Sequence, residues 1–431
     1  MLTPVFLAMI VLLLIAVPIS VVLAMISFIP TFLNPHFAAD AVFLLRQMVT
    51  GINSNPLLAI PMFVFSGVVM ARGGISKKIF NIFSYFIGDK TAGMPCAVVI
   101  TCLFYGAISG SGPATTAAVG SMTIPILVAM GYDLPFCTAL VAVSGSLGII
   151  IPPSIPFILY CMATSSSVGS LFIAGVLPGI LVGSALMLYC IFYCRKHGED
   201  KEKIRETVQQ LRSQGLWNVF KDSFWALLSP VIILGGIYGG FVTPTEAAVI
   251  SVVYALIVSL FIYRSAKFSD LPRIIQESIG TYAPILFILC SASAFGKVLT
   301  MTQAPQVIAS TIGSIFTNKI VLLLVINIFL LFVGMVMDTG PAILILAPIL
   351  QPIVAVVGIH PIHFGVIMIC NLAIGYVTPP IGNNLYVAST LTKVPVMSIA
   401  KKAVPFALVF FVIQLIITFV PPVSLLLPGL T

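Results

Sequence analysis

Charge is what this chain has least of. Only 7% of its 431 residues are Asp, Glu, Lys or Arg, where a soluble domain carries about a quarter. So few charged side chains cannot coat a water-facing surface, which excludes an ordinary soluble domain of this length. Lipid must be the solvent for most of the molecule, in keeping with 60% hydrophobic residues and a mean hydropathy of +1.18. The alternating apolar and polar strands of a membrane β-barrel are also missing. Runs such as Phe224–Tyr238 and Ile320–Val336 are continuously apolar. Only helices satisfy the backbone of such runs in lipid, so the fold class is an all-α polytopic membrane protein.

Other absences narrow the function. The eight cysteines form no CxxC pair and mostly sit inside apolar runs. They read as small buried hydrophobes, neither disulfides nor metal ligands. There is no Walker loop, no catalytic triad and no nucleic-acid surface, so energy from ATP would have to come from another chain. No nucleophile or metal cluster lies inside the apolar segments, which argues against an enzyme. The stretch Met1–Pro30 lacks the basic start of a signal peptide and its apolar part is too long, so it is expected to be a membrane helix.

What is present is a set of apolar segments. Full spans are expected at about 5–29, 57–71, 134–165, 176–194, 224–242, 246–263, 282–299, 363–392 and 403–422. Two more segments, 93–130 and 320–357, are broken midway by Gly, Ser and Pro, and read as re-entrant hairpins. The stretches 33–53, 73–88 and 303–316 are expected to lie along the membrane surface. With the N-terminus placed inside and the C-terminus outside, 17 of the 20 basic residues fall in inside loops. Only Arg46, Lys297 and Lys319 fall outside, as the positive-inside bias requires. The net charge of +8 thus reflects cytoplasmic loops. The polar stretch Arg195–Asp222 reads as a surface helix or solvated linker between two halves.

The halves repeat. An offset of 227 residues aligns Pro125 with Pro352, Gly148 with Gly375, Pro152-Pro153 with Pro379-Pro380, and Pro178 with Pro405. A one-residue slip aligns Ser111-Gly112-Pro113-Ala114 with Thr339-Gly340-Pro341-Ala342, and Gly106 with Gly334. Five full spans separate the two Gly-Pro tips, an odd number, so the second copy is inverted relative to the first. Inverted repeats with interrupted helices at matched places are the sequence mark of secondary transporters.

The first tip runs Gly106-Ala-Ile-Ser109-Gly110-Ser111-Gly112-Pro113, followed by Thr115 and Thr116. Small residues let the backbone turn sharply, and Pro113 suits the first turn of an outgoing helix. Such a tip offers carbonyl and hydroxyl oxygens to a cation and helix amides to an anion, or simply packs tightly against a neighbour. The second tip carries Asp338 before Thr339-Gly340-Pro341. Asp338 could balance a bound cation or hold the tip through backbone hydrogen bonds. The second role is favoured because the first tip has no matching carboxylate. Facing the tips are Ser144-Gly-Ser146-Leu-Gly148-Ile-Ile-Ile-Pro152-Pro153-Ser154 and Gly375-Tyr-Val-Thr378-Pro379-Pro380-Ile-Gly382-Asn383-Asn384. Paired prolines remove amide donors and free upstream carbonyls, which need a partner such as a cation. Asn383 and Asn384 are polar groups within reach of a substrate. Glu246, three residues after Thr243, is spaced as a helix cap. His360 and His363 are placed in a short outside loop with no metal role.

These residues resemble the large membrane subunit of tripartite ATP-independent periplasmic (TRAP) transporters, the DctM-like family. The matching stretches are Leu58-Ala-Ile-Pro61, Gly110-Ser-Gly112, Ile151-Pro-Pro-Ser154, Gly175-Val-Leu-Pro-Gly179, Gly239-Gly-Phe-Val-Thr-Pro-Thr-Glu246-Ala-Ala, Gly334-Met-Val-Met-Asp338 and Thr378-Pro-Pro-Ile-Gly-Asn383. The resemblance implies a multi-pass importer of organic acids in the bacterial inner membrane, driven by sodium. It implies an elevator motion of a hairpin-bearing domain. It also implies two partners, a small four-helix (DctQ-like) membrane subunit and a periplasmic substrate-binding protein. No cofactor is implied beyond Na+ as coupling ion. Carried over, one sodium site uses Ser109, Ser111 and carbonyls near Gly145, Gly148 and Ile151. A second uses Thr339, Gly340 and carbonyls near Gly375 and Thr378. The substrate is expected against Gly112, Thr115, Ser154, Asp338 and Asn383. No arginine lies near either tip in the sequence, so anion recognition must use amides, hydroxyls or a side chain that the sequence does not place.

The expected division is 1–92 as N-terminal scaffold, 93–175 and 301–402 as the two halves of the transport domain, 176–300 as scaffold and cytoplasmic linker, and 403–431 as C-terminal scaffold helix. The expected substrate is a C4-dicarboxylate or a sugar acid such as sialic acid. The competing transport reading is a stand-alone sodium/carboxylate symporter that needs no binding protein.

Overall fold

Proline and glycine decide where the helices stop. The computed structural model describes residues 2–34, 37, 39–304, 307 and 318–429. Among the described residues there is no strand, and nine helices are long and apolar enough to cross a membrane. The first expected span is in fact two helices, α1 (Leu2–Leu14) and α2 (Ile19–Leu33). Pro18 has no N–H to give to Leu14 and disfavours helical backbone at Val17, and Ala16 turns to φ 60°. At 13 and 15 residues each is shorter than the roughly 20 that a perpendicular crossing needs. The stretch 33–53 holds α3 (Ala41–Ile52), started by Asp40, whose carboxylate accepts from Phe43 N at 2.7 Å. Both α2 and α3 pack along Leu271–Met301.

Next come α4 (Ala59–Arg72) and the amphipathic α5 (Ile75–Ile87). The first hairpin is α6 (Gly93–Ser109) and α7 (Gly112–Ala129). The helix that follows is broken as the paired prolines demand. α8 (Leu134–Gly145) passes into a 3-10 turn over Ser146–Ile149, stops, and resumes as α9 (Ile155–Thr164). α10 (Val168–His197) leads to the polar linker, where α11 (Lys201–Ser213) is the expected surface helix. α12 (Leu216–Tyr238), α13 (Pro244–Ile257) and α14 (Leu271–Met301) follow. Thr243 and Glu246 form the reciprocal cap that starts α13. The amphipathic piece expected at 303–316 lies largely outside the described residues.

The second repeat has the hairpin α15 (Lys319–Val336) and α16 (Thr339–Val356), then the broken pair α17 (Pro361–Gly375) and α18 (Asn383–Thr392), then α19 (Val396–Phe419) and a final turn α20 (Pro422–Leu425). Both outgoing hairpin arms have 18 residues, and both resumed halves have 10. His363 is not in a loop. It is buried in α17, with Nδ1 2.6 Å from Ser424 Oγ. His360 caps that helix by accepting from Ile362 N. All eight cysteines are unpaired and seven are buried, so they fill core space.

The repeats pack by exchange. α7 lies against α18 of the second repeat, and α16 lies against α9 of the first. α8 packs on α19 and α17 on α10. The divisions expected after 175 and 402 fall inside α10 and α19, each one continuous helix packed on the hairpins and broken helices. A second group, α2, α3, α4, α13 and α14, packs mainly on itself, with α12 joined to it through α13.

Candidate functional site

At the first tip α6 stops because Gly110 adopts φ 61°, where a Cβ would also stand 2.8 Å from Pro153 O. Gly110 O accepts from Ile155 N at 3.2 Å, which ties the tip to the far side of the break. Ser111 caps α7, its Oγ accepting from Ala114 N. Thr115 Oγ1 donates to Ser111 O at 2.8 Å and lies 2.8 Å from Ser109 Oγ. Ser109, Ser111 and Thr115 therefore form one oxygen-rich turn. Ser154 Oγ donates to Ile149 O at 2.6 Å, satisfying a carbonyl freed by the proline pair, and accepts from Phe157 N to start α9.

The second tip is closed by a carboxylate. Asp338 Oδ1 accepts from Thr339 N at 2.8 Å and from the Tyr376 hydroxyl. Thr339 Oγ1 lies 2.7 Å from the same hydroxyl. Asp338 thus bonds the backbone of its own tip and gains Tyr376 as a further partner. At the break Thr378 Oγ1 donates to Ile374 O at 2.8 Å, and Ile381 N donates to Met335 O at 3.2 Å.

The matched glycines meet each other. A Cβ on Gly106 would sit 2.7 Å from Gly148 Cα, and one on Gly375 would sit 2.3 Å from the Gly334 carbonyl carbon. Each incoming arm thus touches its own broken helix backbone to backbone. Gly145 and Gly148 leave room for Thr116 and Thr115, whose hydroxyl oxygens would lie 2.0 and 2.4 Å from added Cβ atoms. Both proline pairs are cis.

The repeats also bond to one another. Asn384 Nδ2 donates to Ala142 O at 3.0 Å, at the end of α8 where the regular ladder stops. Tyr376 and the Asn384 side chain stand within 3.4 Å of where a Gly112 Cβ would be. Three buried oxygens near this junction, Thr116 Oγ1, Ser144 Oγ and Asn384 Oδ1, have no partner among the described residues. Unpaired buried oxygens are costly in a protein interior, and a cation or water would satisfy them. The donor set suits a hard cation, since hydroxyls, amide oxygens and carbonyls cluster at both breaks.

Between the tips lies a cavity of about 250 Å³. Gly110, Ser111 and Pro113 line one side, Asp338, Thr339, Gly340, Pro341 and Tyr376 the other, and Thr281, Pro284, Ile285 and Ile288 of α14 close it. Among the described residues no Lys or Arg lines it. Two helix N-termini, of α7 and α16, open on it, each able to offer amides to an anion. Of the residues expected at the substrate, Asp338 lines this cavity. Gly112, Thr115 and Ser154 lie buried beneath the tip and break. Asn383 begins α18 half-exposed and away from the cavity, while its neighbour Asn384 turns inward. Ile151 sits in the break with its side chain toward Gly179 of α10. Tyr376 was not singled out from sequence. Its signal is a phenol set between Gly375 and a proline pair, where an aromatic needs a hydrogen-bond partner.

The family model described as "Tripartite ATP-independent periplasmic transporter, DctM component" matches residues 6–423. The chain is 42% identical over 380 residues to the isethionate TRAP transporter permease protein DctMQ of Oleidesulfovibrio alaskensis, covering 88% of this chain and 59% of that one. It thus spans less than two thirds of that relative. It is 42% identical over 376 residues to the C4-dicarboxylate TRAP transporter large permease protein DctM of Pseudomonas aeruginosa, covering 86% of each. Among solved structures, MtrF of Neisseria gonorrhoeae, of a class of antimetabolite efflux pumps, aligns with a TM-score of 0.65 at 12% identity. It covers 93% of this chain and 94% of that one, a likeness of fold alone.

Proposed function

The chain belongs to the DctM component family of tripartite ATP-independent periplasmic transporters, and on that premise we propose that it imports a small organic anion across a bacterial inner membrane by sodium symport. A substrate-binding protein delivers the anion from the periplasm, and a small membrane subunit completes the assembly. The observation that carries this reading is the cavity between the two tips. It joins both repeats to the scaffold helix α14, and its size suits a C4-dicarboxylate or a comparable small acid. Its anion contacts are the amides and hydroxyls at the starts of α7 and α16.

Sodium acts as an assembly ion in this account. One ion binds among Ser109, Ser111 and the carbonyls of the first break. Another binds among Thr339, Gly340 and the carbonyls of the second. Each orders its tip, so the anion site is complete only with both present, which couples the two fluxes. The hairpins, the broken helices, α10 and α19 form the moving body, and the group around α4, α13 and α14 forms the scaffold. The loops rich in Lys and Arg face the cytoplasm, and the C-terminus faces the periplasm.

The test is uptake of labelled succinate and isethionate into proteoliposomes holding this chain with its small subunit, with the binding protein outside. Uptake should need an inward sodium gradient and the binding protein. Uptake that ignores sodium refutes the coupling. Uptake at full rate without the binding protein selects the stand-alone symporter.

A further inference from the structure

The tips and breaks attract an anion with amides and hydroxyls alone, yet an anion must enter and leave. Two further cavities adjoin the one between the tips. The first, of about 570 Å³, lies between the first hairpin and helices α4 and α14. It shares Ser111, Pro113, Ile155 and Thr281 with the inter-tip cavity, and its wall carries Arg72 and Glu277. The second, of about 300 Å³, shares Leu344 with the inter-tip cavity and lies between α3, α14 and α16. Its wall carries Lys297. Among the described residues that line these three cavities, Arg72 and Lys297 are the only Lys or Arg.

Their placement is matched. Arg72 ends α4, the scaffold helix before α5 and the first hairpin, and Lys297 lies near the end of α14, the scaffold helix before the second. The charge bias of the loops puts Arg72 at the cytoplasmic side and Lys297 at the periplasmic side. Both belong to the scaffold, so neither would travel with the anion site. A cation fixed inside a moving site would hold its anion equally on both sides. A cation at each mouth instead raises the local anion concentration only where exchange with water takes place. Along α7 the wall of this corridor is made of the short side chains Ala114, Ala117, Ala118 and Ser121.

We propose that Lys297 and Arg72 are the outer and inner anion contacts of the transport path, and that Glu277 is the counter-charge that takes Arg72 back as the anion departs. Arg72 donates to Glu277 Oε2 from Nε at 3.1 Å and from Nη2 at 2.5 Å, while Nη1 makes no hydrogen bond among the described residues. That free edge can meet an arriving carboxylate or sulfonate before the pair breaks. Lys297 has no ion pair among the described residues and is exposed at its mouth.

The inference rests on the anion-transport reading, and its test is built to separate the two. Succinate and isethionate transport is measured in right-side-out proteoliposomes of the full assembly, as uptake from outside and as efflux from inside. Lys297→Gln should raise the KM for uptake about fivefold and leave the KM for efflux unchanged. Arg72→Gln should do the reverse. Glu277→Gln frees Arg72 and should lower the KM for efflux while slowing release. If the pair only ties α4 to α14, Arg72→Gln and Glu277→Gln will shift efflux in the same direction, and the inference is wrong. Equal shifts at both faces in either single variant would also overturn it. If the unmodified assembly transports neither anion, the transport reading fails and the inference falls with it.

Discussion

At the first tip a hydroxyl, that of Ser111, caps the outgoing helix, and every side chain in the turn is neutral. At the second tip a carboxylate, that of Asp338, does the same work and is itself held by Tyr376. The backbone plan is shared. Both tips rest glycine on glycine against a broken helix, and both breaks carry a cis proline pair. The packing is not shared equally, because α6 and α7 lie along each other while α15 and α16 lie mainly against α17 and α9. The inverted repeat thus preserves where oxygens are presented and lets the charge differ. A carboxylate at one tip alone gives that tip a charged cap, exposed to the cavity and held by a buried phenol, where the other tip has only hydroxyls.

The shared plan is the part most easily broken. Gly375→Ala drives a methyl into the Gly334 backbone at 2.3 Å, where nothing can rotate away. Overpacking of this kind costs about 3 kcal/mol, so thermal unfolding should begin well below that of the parent and uptake should vanish. Gly148→Ala meets the Thr115 hydroxyl at 2.4 Å and Ser111 O at 2.8 Å. It should cost less, because a hydroxyl can turn.

The difference in charge gives the next largest effect. Tyr376→Phe strips the phenol from Asp338 and should cost about 2 kcal/mol. The sodium needed for half-maximal uptake should rise by more than tenfold. Asp338→Asn keeps an oxygen that accepts from Thr339 N and Tyr376, so its effect should be several times milder. The reverse ranking would mean that the carboxylate balances a cation directly and is not primarily a cap.

Ser111→Ala removes a neutral cap worth about 1 kcal/mol. Sodium titrations of uptake should shift a few fold, as they should for Thr339→Val. If Ser111→Ala shifted more than Tyr376→Phe, the first tip and not the second would be the energetically dominant one.

The smallest effect lies at the foot of the first hairpin. Arg212 bonds Asp89 at 2.9 Å and holds its carboxyl below the usual aspartate range. A depressed value stabilises the fold above the ordinary aspartate pKa, and that increment is lost as pH falls through the lowered one. Both side chains are more than a third exposed, so screening limits the contribution to about 0.5 kcal/mol. Unfolding followed between pH 6 and 3 should show this slope, and Arg212→Gln should remove it. The first tip itself should add no slope, having no ionisable group.

Much of this was legible in the sequence. Thr243 and Glu246 form a cap whose chemistry acts within three residues, so spacing alone revealed it, whereas the capping role of Ser111 emerged only from the structure. The proline pairs marked the breaks for the same local reason. What escaped was contact between distant segments. Asn384 bonds Ala142 O across 242 residues, and nothing local separates it from Asn383, which faces elsewhere. Arg72 is far from Ser111 in sequence but lines the same cavity. The N-terminal helix was misread because an apolar run hides a helix break unless the proline is weighed above hydropathy. The extent of α10 and α19 depended on which neighbours they bury against, which hydropathy does not report.

The central claim is that two tips of unlike chemistry each hold one sodium ion and jointly complete the anion site. The direct measurement is the sodium activation curve of uptake in proteoliposomes, taken for the parent, Ser111→Ala and Thr339→Val. The account predicts a sigmoidal curve with a Hill coefficient approaching about two for the parent. Each variant should move the curve to higher sodium concentration. A hyperbolic parent curve, or a curve unmoved by either substitution, would contradict it.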